Sequence, residues 1–492
     1  MVLSLLLSYL KQQNNHMKNK LFFCLAAVVF VSCSKKTAEW VVSTPDTAWE
    51  IQIGNVQYVK TSPADAIVDL SNPLQTIDGF GACFNELGWT SLSALSESDR
   101  QAIMSELFEP NAGANFTICR MPVGANDFSR DWYSYNETEG DFEMKHFCIK
   151  NDFETLIPFI KNAQKHNPAL KVWASPWSPP AWMKYNKHYA CAVSPDYLDV
   201  AFRNDLSPDN QGAEGANMFI QEDKYFAAYA LYFSKFIEAY REEGIDIFAV
   251  MPQNEYNSCQ IFPSCTWTAA GLNTFVGQYL GPAMERLSVD LLFGTIEREN
   301  PLLVDTLLQD LASSRYIKGL GFQWAGKDVV AELHERYPHL KIYQTEQECG
   351  DGKNDWEFCR YAWELMKLYL NSGANAYMYW NISLAKGGIS RWGWAQNSLV
   401  TVDTDAKTYT WNYEYYLMKH FSHYILPGAQ MLPVSGEFTN LLAFKNPDKS
   451  VILVIHNEKE ESIQPNIWIG SNTIAPVLAP RSFNTIKLPK VE

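Results

Sequence analysis

The chain has 492 residues, 47% of them hydrophobic and 14% aromatic, and carries a net charge of −15 at neutral pH. That length accommodates a barrel of about 250 residues or more together with a smaller module. The acidic balance excludes nucleic acid and anionic lipid headgroups as partners, because both repel it.

From Met17 the chain reads MKNKLFFCLAAVVFVSCSKK: lysines, a short apolar run, a small residue, then Cys33. The run is too short to cross a bilayer and has the flanks of a signal peptide. Phe30-Val31-Ser32-Cys33 is similar to a bacterial lipobox, so residues 1–33 are expected to be a leader that ends at an acylated Cys33, with Met17 as the working start. Export across an inner membrane and a lipid anchor in the cell envelope follow, on the periplasmic side or the outer surface. Removing residues 1–32 takes three lysines and no acids, so the mature chain is more acidic still. Eight cysteines lie beyond position 33. Cys259 and Cys265 are spaced to bridge in an oxidising compartment, although spacing does not decide pairing.

Residues 34–74 contain two β-type runs, Trp49–Val59 and Ala66–Leu70. Between 75 and 405, apolar runs alternate with amphipathic stretches. The predicted strands are Gln75–Phe84, Phe116–Gly124, Lys171–Ser178, Ile245–Glu255, Leu291–Glu297, Ile317–Ala325, Lys341–Glu348 and Asn375–Ser383. Stretches such as Glu222–Glu243 and Asp355–Asn371 repeat apolar residues at the helical period. Eight such units predict an α/β fold, a parallel (β/α)8 TIM barrel. From 406 to 492 the pattern changes to short β runs separated by turns: Asn440–Lys445, Val451–His456, Asn466–Ile469 and Phe483–Leu488. These runs and residues 34–74 predict a small antiparallel β-sandwich built from both chain ends.

The active site of such a barrel lies at the C-terminal ends of its strands. Those ends read Phe80-Gly81, Arg120, Trp177, Asn254-Glu255, Glu297, Gln323-Trp324, Glu346 and Trp380-Asn381. Glu255 and Glu346, at strands four and seven, form the informative pair. One glutamate at a strand end is ordinarily a surface ion-pair partner. Two on one rim, beside an asparagine and several tryptophans, suit double-displacement hydrolysis of a sugar linkage. One carboxyl would protonate the glycosidic oxygen and the other would attack the anomeric carbon. Asn254 is placed to bond a sugar 2-hydroxyl, and Arg120 to keep the nucleophile ionised. Glu348 shares the face of Glu346 by strand alternation, so position alone does not choose between them. The prolines of SPWSPP would hold Trp177 and Trp182 against a sugar. Asp127 reads equally well as a turn former.

Other chemistries find no support. The sequence has no dinucleotide fingerprint, phosphate loop, nucleophile elbow or zinc-protease motif. His420 and His423 have no further ligands in view and read as structural. Neither a cofactor nor a metal is expected.

The segments IDGFGACFNE (77–86), RMPVGANDFS (120–129), ASPWSPPAWMK (174–184), QNE (253–255), TEQECG (345–350), YWN (379–381) and GWAQNSLV (393–400) together resemble glycoside hydrolase family 30. That family includes glucosylceramidases, β-1,6-glucanases and β-xylosidases. The resemblance implies Glu255 as acid/base and Glu346 as nucleophile, with Glu348 a supporting group or a pocket wall. It also implies that Arg120, Asp127, Trp177, Asn254 and Trp380 line the subsite of the non-reducing sugar, with Gln323, Trp324 and Asn381 as further substrate-binding candidates. Gln323 and Ala325 depart from the His and Tyr that glucosylceramidase-like members carry around Trp324, which weakens glucosylceramide as the substrate. The tract Asn257–Trp267 is expected to wall the leaving-group side. The expected function is a retaining β-glycosidase acting on β-glucosidic linkages of an oligo- or polysaccharide. The alternatives are β-xylosidase or β-fucosidase specificity, or a surface glycan-binding lipoprotein without catalysis.

Overall fold

The computed structural model describes residues 38–490, apart from 53–55, 57 and 60–62. The leader and lipobox at 1–33, with Cys33, lie outside these residues. All eight predicted barrel strands are present: β1 Gly79–Cys83, β2 Ile118–Pro122, β3 Lys171–Ser175, β4 Ile247–Val250, β5 Asp290–Ile296, β6 Ile317–Gln323, β7 Lys341–Glu346 and β8 Ala376–Asn381. They close in chain order, each parallel to its neighbours, with β8 paired to β1. Most are buried along their whole length, as expected of parallel strands covered by helices on the outside and packed side chains within.

The helices form where the apolar period predicted them. Asp223–Glu242 buries Phe226, Tyr229, Phe233, Phe236, Ile237 and Tyr240, a stripe at three- and four-residue spacing. Trp356–Asn371 begins after Asp355, whose carboxylate accepts from the Phe358 amide, one of the four amides a helix start leaves unpaired.

The second module is a sandwich of a six-stranded and a five-stranded sheet. It uses both ends of the described chain: Glu39–Ser43 pairs antiparallel with Ser482–Leu488, and Ala66–Val68 lies between Val434–Gly436 and Ile467–Ile469. The pairing of Ala66–Val68 with Ile467–Ile469 is parallel, an exception to the antiparallel expectation. The strand Glu39–Ser43 and a small sheet of Ser383–Ala385, Val400–Asp403 and Thr408–Trp411 had not been predicted.

Alternation explains how the two modules are joined. In Val451–Asn457, Val451, Leu453 and Ile455 face the sandwich core, whereas Ile452 and Val454 join the barrel's core. Leu441 and Ala443 likewise face the sandwich, and Leu442 and Phe444 the barrel. Leu441–Lys445 and Val451–Asn457 are therefore buried on both faces, and they read as nearly continuous apolar runs for that reason. His420 ties the junction: its two ring nitrogens meet Thr485 Oγ1 at 2.9 Å and Ser43 Oγ at 3.0 Å. His423 Nδ1 lies 2.6 Å from the Gly113 carbonyl, so both histidines are structural. Cys259 and Cys265 are unbridged, as are the other described cysteines.

Candidate active site

The rim of the barrel carries a cavity of about 740 Å³ lined by Asp127, Trp177, Asn254, Glu255, Trp324 and Glu346, among others. Glu346 is the last residue of β7, as predicted. Glu255 differs. Strand β4 stops at Val250, and Glu255 sits five residues later in a turn with φ of +46°. A left-handed backbone at a non-glycine residue costs on the order of 1–3 kcal/mol and persists only where its surroundings impose it. Here they do. The Glu255 amide donates to Thr295 Oγ1 (2.8 Å), Asn254 N to the Pro176 carbonyl (2.7 Å), and Thr295 N to the Gln253 carbonyl (2.7 Å).

Arg120 is fully buried beneath the cavity. Its Nη1 donates to Glu346 Oε2 at 2.8 Å, and its Nη2 to Asn254 Oδ1 at 2.7 Å and Ser175 Oγ at 2.9 Å. The guanidinium lies 4.3 Å from the centre of the Trp177 ring, which spreads its charge over an aromatic face. Asn254 Oδ1 also accepts from Thr295 Oγ1 and Gln323 Nε2, which leaves its Nδ2 for the cavity. Gln323 is oriented by its neighbours: Oε1 accepts from Thr345 Oγ1 (2.8 Å), while Nε2 donates to Glu255 Oε1 (2.9 Å) and Glu346 Oε2 (3.3 Å).

Burial raises the carboxyls of both glutamates, Glu346 to about 7 even against the pull of Arg120, and the charge of Glu255 adds to the rise at Glu346. The pair therefore holds a proton near neutrality. Arg120 bonds Glu346 and not Glu255, so the charge belongs on Glu346 and the proton on Glu255. Asp127 is buried, its Oδ1 has no protein partner, and burial followed by the charges of Glu346 and Glu255 raises its carboxyl too. It is not the local turn former, since Asn126 Oδ1 takes the Phe128 amide.

Several candidates lie elsewhere than expected. Trp380 stands behind Trp177, stacked at 5.4 Å, rather than on the cavity surface. Asn381 is engaged in the scaffold: its Oδ1 accepts from Asn85, and its Nδ2 donates to Gln396 Oε1 and the Asn397 carbonyl. Trp182 donates to the Asn136 carbonyl and packs on Phe142, away from the cavity. Glu348 faces outward and binds Lys327 (3.0 Å) and Tyr361 (2.8 Å), because β7 ends at Glu346 and strand alternation ends with it. The tract 257–267 does reach the cavity: Ser258, Gln260, Ile261 and Phe262 line it, with Trp394 edge-on to Phe262 at 4.8 Å. Sequence reasoning missed Tyr197, Arg298, Trp394 and Gln396, which come from loops. Glu297 was noted only as a strand-end acid. No group of three or more metal-ligating side chains occurs among the described residues.

The family 30 glycosyl hydrolase TIM-barrel domain matches residues 77–194 and 207–425, and the family's β-sandwich domain matches 434–486. The chain belongs to glycosyl hydrolase family 30. A Caenorhabditis elegans protein provisionally named glucosylceramidase 1 is 31% identical over 418 residues, spanning 80% of this chain and 75% of that one. Endo-1,6-β-D-glucanase neg1 of Aspergillus fumigatus is 28% identical over 412 residues, or 78% of each chain. A solved endo-β1,6-glucanase superposes with a TM-score of 0.77 at 25% identity, covering 92% of this chain and 99% of that one. As a family 30 member, the protein is a glycosidase with a carbohydrate substrate.

Proposed function

We propose that the protein hydrolyses β-glucosidic bonds with net retention, Glu346 attacking the anomeric carbon and Glu255 acting as acid and then base. The observation that carries this is Gln323 Nε2, which reaches Glu255 Oε1 at 2.9 Å and Glu346 Oε2 at 3.3 Å. Two oxygens so close to one nitrogen are separated by no more than those two lengths together. Facing oxygens held on one donor suit the close pair of double displacement, whereas inversion sets the two carboxyls farther apart to admit a water between them. Attack by Glu346 would give a glycosyl ester as Glu255 protonates the departing oxygen. Water deprotonated by Glu255 would then cleave the ester, returning the proton to Glu255 and releasing the sugar with its starting configuration. Asn254 Nδ2 is the donor for the 2-hydroxyl, and Asp127 Oδ1 accepts from a hydroxyl of the same sugar.

The leaving-group side favours a sugar over a lipid. It presents Gln260, Arg298, Lys327 and Gln396 together with the ring of Trp324, a mixture of hydrogen-bonding groups and flat aromatic surface. A β-1,6-glucan therefore suits the site better than glucosylceramide, and β-1,6-glucanases stand among the relatives beside the glucosylceramidases. The test is product analysis on β-1,6-glucan, glucosylceramide and aryl β-glucosides, β-xylosides and β-fucosides, with the first-formed anomer read by NMR. A β-configured glucose or gluco-oligosaccharide is expected. The α-anomer as first product would overturn retention, and turnover confined to another sugar would overturn the glucoside assignment.

A further inference from the structure

Glu297 follows directly on β5 and lines the cavity beside the acid/base turn, yet the mechanism above gives it no part. It is 1% exposed. Its Oε1 accepts from the Asn257 amide at 2.8 Å and from Ser258 Oγ at 3.3 Å. Both donors belong to the turn opened by Glu255, which closes through the Ser258 amide and the Glu255 carbonyl (2.8 Å). A carboxyl just after β5 thus pins the turn that follows β4 and holds the strained Glu255. Glu297 Oε2 is buried without any partner. In an ionised carboxylate that oxygen would be a desolvated charge with no donor, an arrangement proteins avoid. The neutral acid removes the charge.

We infer that Glu297 is a positioning residue for Glu255, a carboxylic acid that works protonated and clamps the acid/base turn without adding a charge beside it. The inference rests on Glu255 being the acid/base. The charged and titratable groups around Glu297 are Glu255, Arg298 and Tyr256, and Arg298 is itself paired with Glu214. Burial, and the charge of Glu255 once it has given up its proton, raise the Glu297 carboxyl to about 8, while Arg298 pulls it down. Neutrality has a catalytic reason. A second anion here would hold the proton more tightly on Glu255, which must release it to the glycosidic oxygen.

The experiment compares kcat/KM of the wild type, Glu297→Gln and Glu297→Ala on two aryl β-glycosides of the sugar the enzyme releases. One carries 2,4-dinitrophenol, which departs with little acid help, and the other a poor phenol leaving group. Glutamine keeps the acceptor oxygen and the neutrality, so Glu297→Gln is expected within about threefold of wild type on both. Glu297→Ala frees the turn and is expected to lose about tenfold or more on the poor leaving group while changing little on the dinitrophenyl glycoside. Equal losses on both substrates, or none, would overturn the proposal. So would a collapse of Glu297→Gln to the level of Glu297→Ala, which would mean that the ionised form works. If the alanine variant does not fold, the pH profile of Glu297→Gln decides. Its alkaline limb should coincide with that of wild type, and a displacement of a full pH unit to the acid side would show that Glu297 carried a charge. Glu255→Gln, run in parallel, separates the two readings: without leaving-group selectivity there, the acid/base assignment itself fails.

Discussion

Gln323 donates through one nitrogen to both carboxyls of the catalytic pair, Glu255 Oε1 at 2.9 Å and Glu346 Oε2 at 3.3 Å. It stands opposite Glu346 in the β6–β7 pairing, just after an irregularity between Phe322 and Gln323 that aims its side chain across the barrel mouth. The amide supplies what two close acids need, a fixed dipole that steadies whichever of them bears the charge. Gln323→Ala leaves both facing oxygens without this donor inside a buried site. A lost hydrogen bond of that kind costs about 1–3 kcal/mol, so kcat/KM is expected to fall by roughly one to two powers of ten. Steady-state kinetics on an aryl β-glucoside measures it. Unchanged kinetics would mean that solvent serves as well as the amide.

Glu255→Gln and Glu346→Gln should part in stability although both cripple turnover. Arg120 is fully buried and, among the described residues, makes its only ion pair with Glu346. Glutamine at 346 leaves that cation uncompensated, which destabilises, while the rise that burial imposes on the Glu346 carboxyl offsets part of the cost. No cation bonds Glu255, and burial already disfavours its charge. Glutamine there is expected to leave the protein as stable as wild type or more so. Chemical denaturation at pH 7 reads the difference. Equal stability of the two variants would argue against Arg120 as the partner that selects Glu346 for the charge.

The same pair shows how far the sequence carried. Glu346 ends its strand as the pattern indicated, because β7 is a plain parallel strand with one buried run. Glu255 was read as a strand end too, but β4 gives way at Val250 to a turn held by Gln253, Asn254 and Thr295, contacts no local pattern displays. Strand alternation misplaced Glu348 for a related reason, since it presumes a strand that has already ended. Arg120, Trp177 and Asn254 were read from strand ends, and Asp127 through a motif. Asn381 and Trp182 belong to similar motifs but serve the scaffold, and only their hydrogen bonds reveal it. Tyr197, Arg298 and Trp394 reach the cavity from loops, and nothing periodic marks a loop residue that meets its neighbours only after folding. The short strand Glu39–Ser43 escaped because it is stabilised by Ser482–Leu488, more than four hundred residues away.

Trp324 should govern the leaving group and leave the chemistry alone. It sits at the cavity mouth, 38% exposed, with φ of +48°, a second left-handed backbone at the rim. An aromatic face there can stack on the apolar face of a sugar in the leaving-group position, a contact worth about 0.5–1.5 kcal/mol. Trp324→Ala is expected to raise KM for β-1,6-linked oligosaccharides about two- to tenfold, with kcat nearly unchanged and the hydrolysis of an aryl monoglucoside unaffected. Equal effects on both substrates would place Trp324 at the reacting sugar.

A buried acid outside the cavity makes a prediction about stability and pH. Glu414 opens the helix Tyr413–Ser422, fully buried, with Oε1 accepting from Asn397 Nδ2 at 2.7 Å and Oε2 without a partner. Asn397 in turn anchors the loop at Gly352 and Asn354 next to Gln396 on the cavity wall. Burial raises the Glu414 carboxyl from the model-peptide value of 4.5 to about 7. The folded state thus binds this proton more tightly than the unfolded chain does. Its contribution to stability is complete below about pH 4.5 and is lost as pH rises to about 7. Glu414→Gln mimics the protonated acid at every pH. Its stability should match wild type at pH 4.5 and exceed it by up to about 3 kcal/mol at pH 7.5, seen as a thermal midpoint several degrees higher. The histidines held neutral by burial, His420 and His456, bend both curves alike below pH 6.5 and cancel from the comparison. A difference that did not grow with pH would show that Glu414 ionises as readily in the folded protein as in the unfolded chain.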